Sequence, residues 1–490
     1  MIYVVYLLLV CICALVPLSE AMNLNFYLLT SLMVVFNFIQ LRKVYKTKSS
    51  YFFISPVFLG TLVTFGLALG GVTNFILFKN GRYDIKELAL PILFDNSWLI
   101  KTMFVICIAS AATWFGYGLN AGNIIYKKFV SLNIYRKVYS SSINENRLIL
   151  IAIIAYAVKF YLYSIGLWGR IVDDRYFEAG VGFKAGSQIR VLGELSYLSF
   201  FIISIFKFRH NNAKYNALFF ISLAVELFFG FIYGARSTFI TPFLIIFIAY
   251  YYVSKKINVS YLLVIFAAVL IAFTVVLDYK NYTLDKQFVK TESALDAISN
   301  FQNYSNRYAQ SKNSYELSGT LERTFNSTTF VQEAAMSIRQ VDDPHLGEFK
   351  DPGIALAMVR FPIDAFVPKF IQGQNEFPWG LWFKDEVLNY QVGLKYSIAM
   401  SPVGFLYMGG GLILVIIGFM IYGIVLKMTY NFLLVQNIFS LLTYMALLSV
   451  VYNLDSVVSG FLVMVTRYVI IFPLIFWVIF DPAAFRKLNN

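Results

Sequence analysis

The residues of this chain with chemical potential are few, and most are charges set in apolar surroundings. Arg236 stands in the turn GARS (234–237), inside the apolar run from Ala217 to Val253. A guanidinium held against hydrocarbon costs roughly 2.5–3.5 kcal/mol on the insertion scale. Either it faces an anion, or its long side chain snorkels out to lipid headgroups. Arg170, Arg175 and Arg190 share the stretch GRIVDDRYFEAGVGFKAGSQIR with Asp173, Asp174 and Glu178. That mixture reads as a solvated loop with weak ion pairs, or as guanidinium forks matched to the oxygens of a lipid diphosphate. Arg190 is placed at the start of the following helix. Lys159, Glu226 and Arg467 fall inside apolar runs. An ion pair within the bundle, Glu226 with Lys159 or with Arg467, competes there with a proton relay. For acid–base work the candidates are Asp364, Glu376, Asp385, Glu386 and His345, none at a spacing that singles it out. A general base needs only to reach a hydroxyl. Cys11, Cys13 and Cys107 lie in apolar runs and the histidines are His210 and His345, so neither a disulfide framework nor a metal-ligand spacing is present.

The elements that must position these residues are membrane helices. The chain is 59% hydrophobic and 14% charged, against about 25% charged in soluble domains. Apolar stretches of suitable length predict about twelve spans, near 2–18, 23–41, 52–78, 98–118, 148–168, 191–206, 215–233, 237–253, 259–278, 402–426, 432–452 and 456–480. The first ends in Ser19-Glu20-Ala21, like a peptidase site, but no basic segment precedes it, so it is read as a span. The run from Ala217 to Val253 is nearly twice the ~20 residues that cross a bilayer, so it folds as a hairpin with Arg236 at its tip.

The loops fall into two alternating classes. One class holds Arg42, Lys43, Lys46, Lys48, Lys127, Lys128, Arg136, Lys137, Arg147, Lys207, Arg209, Lys214, Lys255, Lys256, Lys427, Arg486 and Lys487, against the acids Glu145 and Asp481. The positive-inside rule makes that class cytoplasmic, with both termini. The net charge of +13 is then a topology signal and calls for no nucleic acid. On the opposite side lie the 169–190 loop, the hairpin tip and a long segment. The chain therefore divides into helices over 1–278, an outer segment over 279–401, and helices with a cytoplasmic C-terminus over 402–490. The outer segment has amphipathic helical pieces within 291–341 and an irregular, proline- and aromatic-rich surface piece over 362–383, with Trp379 and Trp382 as interfacial anchors.

Three stretches carry a resemblance. GARSTF resembles the G-S/A-R-G turn of the O-antigen polymerases (Wzy-like oligosaccharide repeat-unit polymerases). Arg360 to Ile371, RFPIDAFVPKFI, is similar to their I-P-R-x-x-W-P-x-K-P segment. Ser401 to Gly411, SPVGFLYMGGG, is similar to their S-P-x-G-E-x-Y-x-N-x-G motif. Arg236, Pro362, Pro368, Lys369, Pro402, Gly404 and Tyr407 match. Phe405 stands where the family has glutamate and Ile363 where it has arginine, with Arg360 nearby as a substitute.

The resemblance implies an all-α polytopic membrane protein, a GT-C-like bundle with a large, mostly helical periplasmic loop, in the bacterial inner membrane. It implies a glycosyltransferase that needs neither metal nor other cofactor. Such an enzyme joins undecaprenyl-diphosphate-linked oligosaccharide units, donor and acceptor, into O-antigen or capsule; a chain-length regulator is a further candidate partner. Arg236, Arg190, Arg360, Lys369, Arg170 and Arg175 are the expected diphosphate ligands. Arg236, Glu376 and Asp364 are the expected catalytic groups. A lipid-linked oligosaccharide flippase has little use for so large an outer segment. An O-antigen ligase shares the donor and differs in its acceptor. A membrane O-acyltransferase wants a histidine at membrane depth, and a secondary transporter wants paired broken helices in two halves.

Overall fold

The computed structural model describes residues 2–15, 23–47, 49–78, 96–141, 143–164, 181–232, 236–276, 330–343, 345, 353–366, 401–435, 437–452 and 458–480. Among the described residues all regular structure is helical. From the N-terminus the helices are α1 (Ile2–Leu15), α2 (Asn23–Thr47), α3 (Pro56–Phe78), α4 (Asn96–Gly118), α5 (Ala121–Ser131), α6 (Asn133–Ser140), α7 (Glu145–Ser164) and α8 (Val181–His210). They continue with α9 (Ala213–Ile232), α10 (Arg236–Ser254), α11 (Val259–Ile271), α12 (Phe330–Asp342), α13 (Ile354–Phe366), α14 (Pro402–Leu434), α15 (Ile438–Tyr452) and α16 (Val458–Phe480).

Among the described residues, five helices are long and apolar enough to cross a membrane: Leu24–Thr47, Ser97–Gly118, Ala213–Ile232, Pro402–Leu434 and Phe461–Ile479. The shorter apolar helices Ile2–Leu15, Pro56–Gly66, Thr238–Ser254, Val259–Val269 and Ile438–Val451 each overlap a span expected from the sequence. Large apolar side chains such as Leu8, Ile153, Phe220, Ile221, Leu263 and Ile413 face outward, where water would penalise them and lipid would not.

Packing divides the chain into two units, 1–142 with 325–490, and 143–324. The expected cut at 278 and 401 follows hydropathy instead. In the first unit α4 and α14 run in the same direction and cross closely. Gly116 lies on the backbone of Met420, and Gly423 lies on that of Thr113, so a methyl group on either glycine would overlap main chain. Small residues let helices approach this closely in a membrane. A polar clasp ties α2 to α4: Trp114 Nε1 donates to Asn37 Oδ1 (2.7 Å), and Asn37 Nδ2 to Ser110 Oγ (2.9 Å). The Tyr444 hydroxyl on α15 donates to the Ile54 carbonyl (2.6 Å) before α3.

Two helices of the 279–401 segment pack directly on this bundle. α12 buries Val331, Ala334, Ala335 and Ile338, the one-sided spacing of an amphipathic helix, against α4 and α14. α13 packs on α16 and α14. Its exposed face carries Leu356, Val359, Ile363 and Phe366, an apolar stripe suited to a lipid interface. Residues 362–366 are thus helical, where an irregular piece is expected. Pro362 removes no more than one helix donor, and the apolar stripe keeps its period across it.

In the second unit, α7 packs on α8, α8 on α9 and α10, and α10 on α11. The α9–α10 hairpin expected from the sequence is present. Its helices touch at Gly230, where a methyl group would lie 3.0 Å from the backbone of Thr238 and Phe239. A π-helical turn, Ala272–Val276, ends α11 and buries Ala272 and Val276 beside Phe239.

Candidate functional site

Of the expected site residues, Arg360 and Asp364 are described in full. They lie one helical turn apart on α13, where residues i and i+4 share a face, and both are part-buried. Arg236 is the first residue of α10, at the hairpin tip as expected, but its side chain is outside the described residues. The same holds for the side chain of Arg190. Its backbone corrects the expectation: α8 begins at Val181, so Arg190 is well inside the helix and does not open it. The residues before it, 181–189, mix apolar side chains with Lys184, Ser187, Gln188 and two glycines, so they dilute the apolar span without ending the helix. Arg170, Arg175, Lys369, Glu376, Asp385 and Glu386 fall outside the described residues.

The embedded charges have definite partners. Lys159 Nζ on α7 lies 2.7 Å from Glu226 Oε2 on α9, with both side chains 0% exposed. The ammonium also sits over the Tyr197 ring, 4.1 Å from its centre, with Phe229 at 5.7 Å. The Tyr156 hydroxyl lies beside the Glu226 carboxylate and Ser222 in the same cluster. Of the two pairings open to Glu226 from the sequence, the one with Lys159 forms.

Arg467 does something else. Its Nε donates to the Ala365 carbonyl (3.1 Å) and its Nη2 to the Asp364 carbonyl (2.8 Å). Those carbonyls belong to the last turn of α13, where no intrahelical donor remains. A guanidinium there satisfies them and complements the negative end of the helix dipole. The sequence stops α13 at the same place, since Pro368 disfavours helix at Val367. The backbone of Asp364 is therefore fixed by a residue about a hundred positions away.

The start of α14 is built from the SPVGFLYMGGG stretch. Ser401 Oγ accepts from the Gly404 amide (3.0 Å), and Pro402 takes the first helical turn, where its missing donor costs nothing. Gly404 leaves room for Ser337 of α12, whose Oγ would lie 2.5 Å from a methyl group there. Gly409 rests on Ile354 of α13. Gly411 has φ +61 and ψ −154, a backbone region that is essentially glycine-only. Phe405 in the same stretch is buried.

Tyr407 donates from its hydroxyl to Asp342 Oδ2 (2.6 Å), and Lys101 Nζ of α4 approaches the same oxygen at 2.9 Å. Trp98, one turn before Lys101, holds its ring 5.4 Å from that ammonium. Asp342 ends α12, the unfavourable end of a helix for a carboxylate, and two converging donors offset that. Beside it Asp343 Oδ1 accepts from the His345 amide (3.0 Å), and Arg339 Nε reaches Asp343 Oδ2 (3.1 Å). The amide, and then the guanidinium, hold the Asp343 carboxyl below its ordinary range.

Neither Asp342 nor Lys101 stands out in the sequence. The available signals were a carboxylate closing an amphipathic helix just before Asp343-Pro344, and a lone lysine three residues after Trp98 at the mouth of a span. Comparison with protein-family models, curated proteins and solved structures finds no match to this chain.

Proposed function

We propose that the protein is a membrane glycosyltransferase that polymerises undecaprenyl-diphosphate-linked oligosaccharide repeat units. The observation that carries this reading is the meeting of two motif stretches, separated in sequence by the 367–400 segment. α13, which contains RFPIDAF, packs on α14, whose first turns are SPVGFLYMGGG, with Gly409 against Ile354. Motif residues in those turns have specific jobs: Ser401 caps, Gly404 admits Ser337, and Tyr407 orients a carboxylate.

The leaving group of such a reaction is a diphosphate, so fixed cations must meet its developing charge where water is scarce. Arginine suits that task, being always protonated and bidentate. On this reading Arg236 at the head of α10 is the principal ligand, and Arg360, Arg190, Lys369, Arg170 and Arg175 are further candidates. The fold is then a GT-C-like bundle of about twelve spans in a bacterial inner membrane, with both termini cytoplasmic. Lys127 and Lys128 follow α4, and Lys427 lies near the end of the parallel α14. Basic residues at that end support a cytoplasmic assignment for it.

The test is reconstitution of the purified protein with undecaprenyl-diphosphate-linked repeat units, wild type beside Arg236→Ala. The wild type is expected to yield long chains and free carrier, and the variant single units only. Long chains from a well-inserted Arg236→Ala protein would remove Arg236 from the site. Failure of the wild type to extend, with transfer to lipid A core or translocation instead, would replace the polymerase reading by the ligase or the flippase.

A further inference from the structure

We propose that Trp98, Lys101, Asp342 and Tyr407 form a saccharide-binding subsite in which Asp342 is the base that deprotonates the acceptor hydroxyl. The base assignment rests on the polymerase reading; the saccharide site does not. Three helices that are remote in sequence, α4, α12 and α14, meet at this carboxylate. Oδ2 is held by two donors, at 2.6 and 2.9 Å. That orients the carboxylate and leaves Oδ1 to accept a further hydrogen bond. The group is not sealed away: the side chains of Asp342 and Lys101 are 26% and 41% exposed. A purely structural clamp gains little from an ion pair this wet.

The neighbours fit a sugar. An aromatic ring offers an apolar face to sugar C–H groups while its edge stays wet, and Trp98 is part-exposed beside the cluster. Lys101 supplies a cation with three donors for ring or hydroxyl oxygens. Tyr407 belongs to the motif that carries the resemblance, and its hydroxyl is spent on Asp342. The conspicuous tyrosine thus positions a carboxylate that the motif itself does not contain.

In the reaction, the acceptor hydroxyl gives its proton to Asp342 Oδ1 as its oxygen bonds to the donor's anomeric carbon. The bond from that carbon to the diphosphate oxygen breaks, and its electron pair leaves with undecaprenyl diphosphate. The proton passes from Asp342 to bulk water.

Two measurements on the full chain test this. In the first, wild type and Asp342→Asn are compared in the extension assay. The amide can still accept from Tyr407, so shape is retained. A positioned base contributes 10²- to 10⁴-fold, so kcat is expected to fall at least ~100-fold with the acceptor KM within about threefold. Tyr407→Phe, which only loosens the carboxylate, is expected to lose about tenfold in kcat. Asp342→Asn extending within about tenfold of wild type overturns the base assignment and leaves the polymerase reading intact.

The second measurement uses unaltered protein, so it survives any folding failure of a variant. A water-soluble carbodiimide with a small amine labels exposed carboxyls, and mass spectrometry reports the yield at Asp342. The probe is the free repeat-unit oligosaccharide, released by mild acid from its carrier. Protection of Asp342 by roughly fivefold or more, with Glu145 labelled as before, supports the saccharide site even in a protein that does not extend chains. Equal labelling with and without the oligosaccharide overturns it.

Discussion

Removing one partner of the Lys159–Glu226 pair should be among the most damaging single changes in the second unit. Both side chains are 0% exposed and the pair is 2.7 Å long. Breaking a buried pair from one side typically costs ~3–5 kcal/mol, because the remaining charge is left uncompensated. An ordinary interhelical hydrogen bond in a membrane protein averages only about 0.6 kcal/mol, so the two explanations are well separated. Glu226→Leu strands the ammonium but keeps its contact with the Tyr197 ring, 4.1 Å away; the lower end, about 3 kcal/mol, is expected. Lys159→Met also removes that cation–π contact, worth about 2 kcal/mol when desolvated. It further leaves the buried Glu226 carboxylate without its cation, with the neutral Tyr156 hydroxyl beside it. The upper end, about 5 kcal/mol, is expected there. The double variant Lys159→Met/Glu226→Leu should return to within about 1 kcal/mol of wild type or exceed it, since apolar replacement of a buried pair is often neutral or stabilising. The assay is unfolding of the purified protein in detergent, for all four members of the cycle. Single variants within about 1 kcal/mol of wild type, or a double equal to the sum of the singles, would refute the reasoning.

Three further outcomes are expected. Gly423→Leu forces a side chain into the backbone of Thr113 and should cost at least ~1–3 kcal/mol as overpacking; a crosslink between cysteines placed on α4 and α14 would report the lost approach, and unchanged crosslinking would contradict it. Arg467→Met uncaps α13 by removing donors to the Asp364 and Ala365 carbonyls, so amide exchange in the last turn of α13 should rise at least about tenfold, since each charged hydrogen bond lost is worth ~1.5–3 kcal/mol, while exchange in α4 stays the same. The Asp343 carboxyl is held below its ordinary range by the His345 amide and Arg339, so its stabilisation is complete above the unfolded carboxylate range, near pH 3.9, and is lost as pH falls through its lower folded value. Protection of the His345 amide should therefore drop on acidification below about pH 4, and Asp343→Asn should abolish that dependence.

Much of the architecture could be read from composition alone. Long apolar runs in a chain with few charges leave helices as the way to satisfy backbone donors in lipid, and the hairpin around Arg236 appears where the GARS turn interrupts its run. The N-terminal cap of α14 was equally local, since Ser401-Pro402 is a start signal whatever surrounds it. Hydropathy was a poor guide to where helices end. α8 extends to Val181, past the edge of its apolar stretch, because the membrane limits apolar residues while hydrogen bonding and capping limit helices.

Partnerships were decided only by tertiary structure. Sequence periodicity makes Lys159, Glu226 and Arg467 three embedded charges with several pairings open to them. Packing of α7, α8 and α9 selects Lys159 for Glu226, and packing of α13 on α16 gives Arg467 two backbone carbonyls. Asp342 was one carboxylate among many until α4, α12 and α14 brought Lys101 and Tyr407 to the same oxygen. Helix formation and membrane insertion depend on residues within a turn or a span of one another, so they are written locally. A charge's partner depends on which helices touch, and that is set by the whole chain's burial of small and apolar surfaces at crossings such as Gly116–Met420 and Gly423–Thr113.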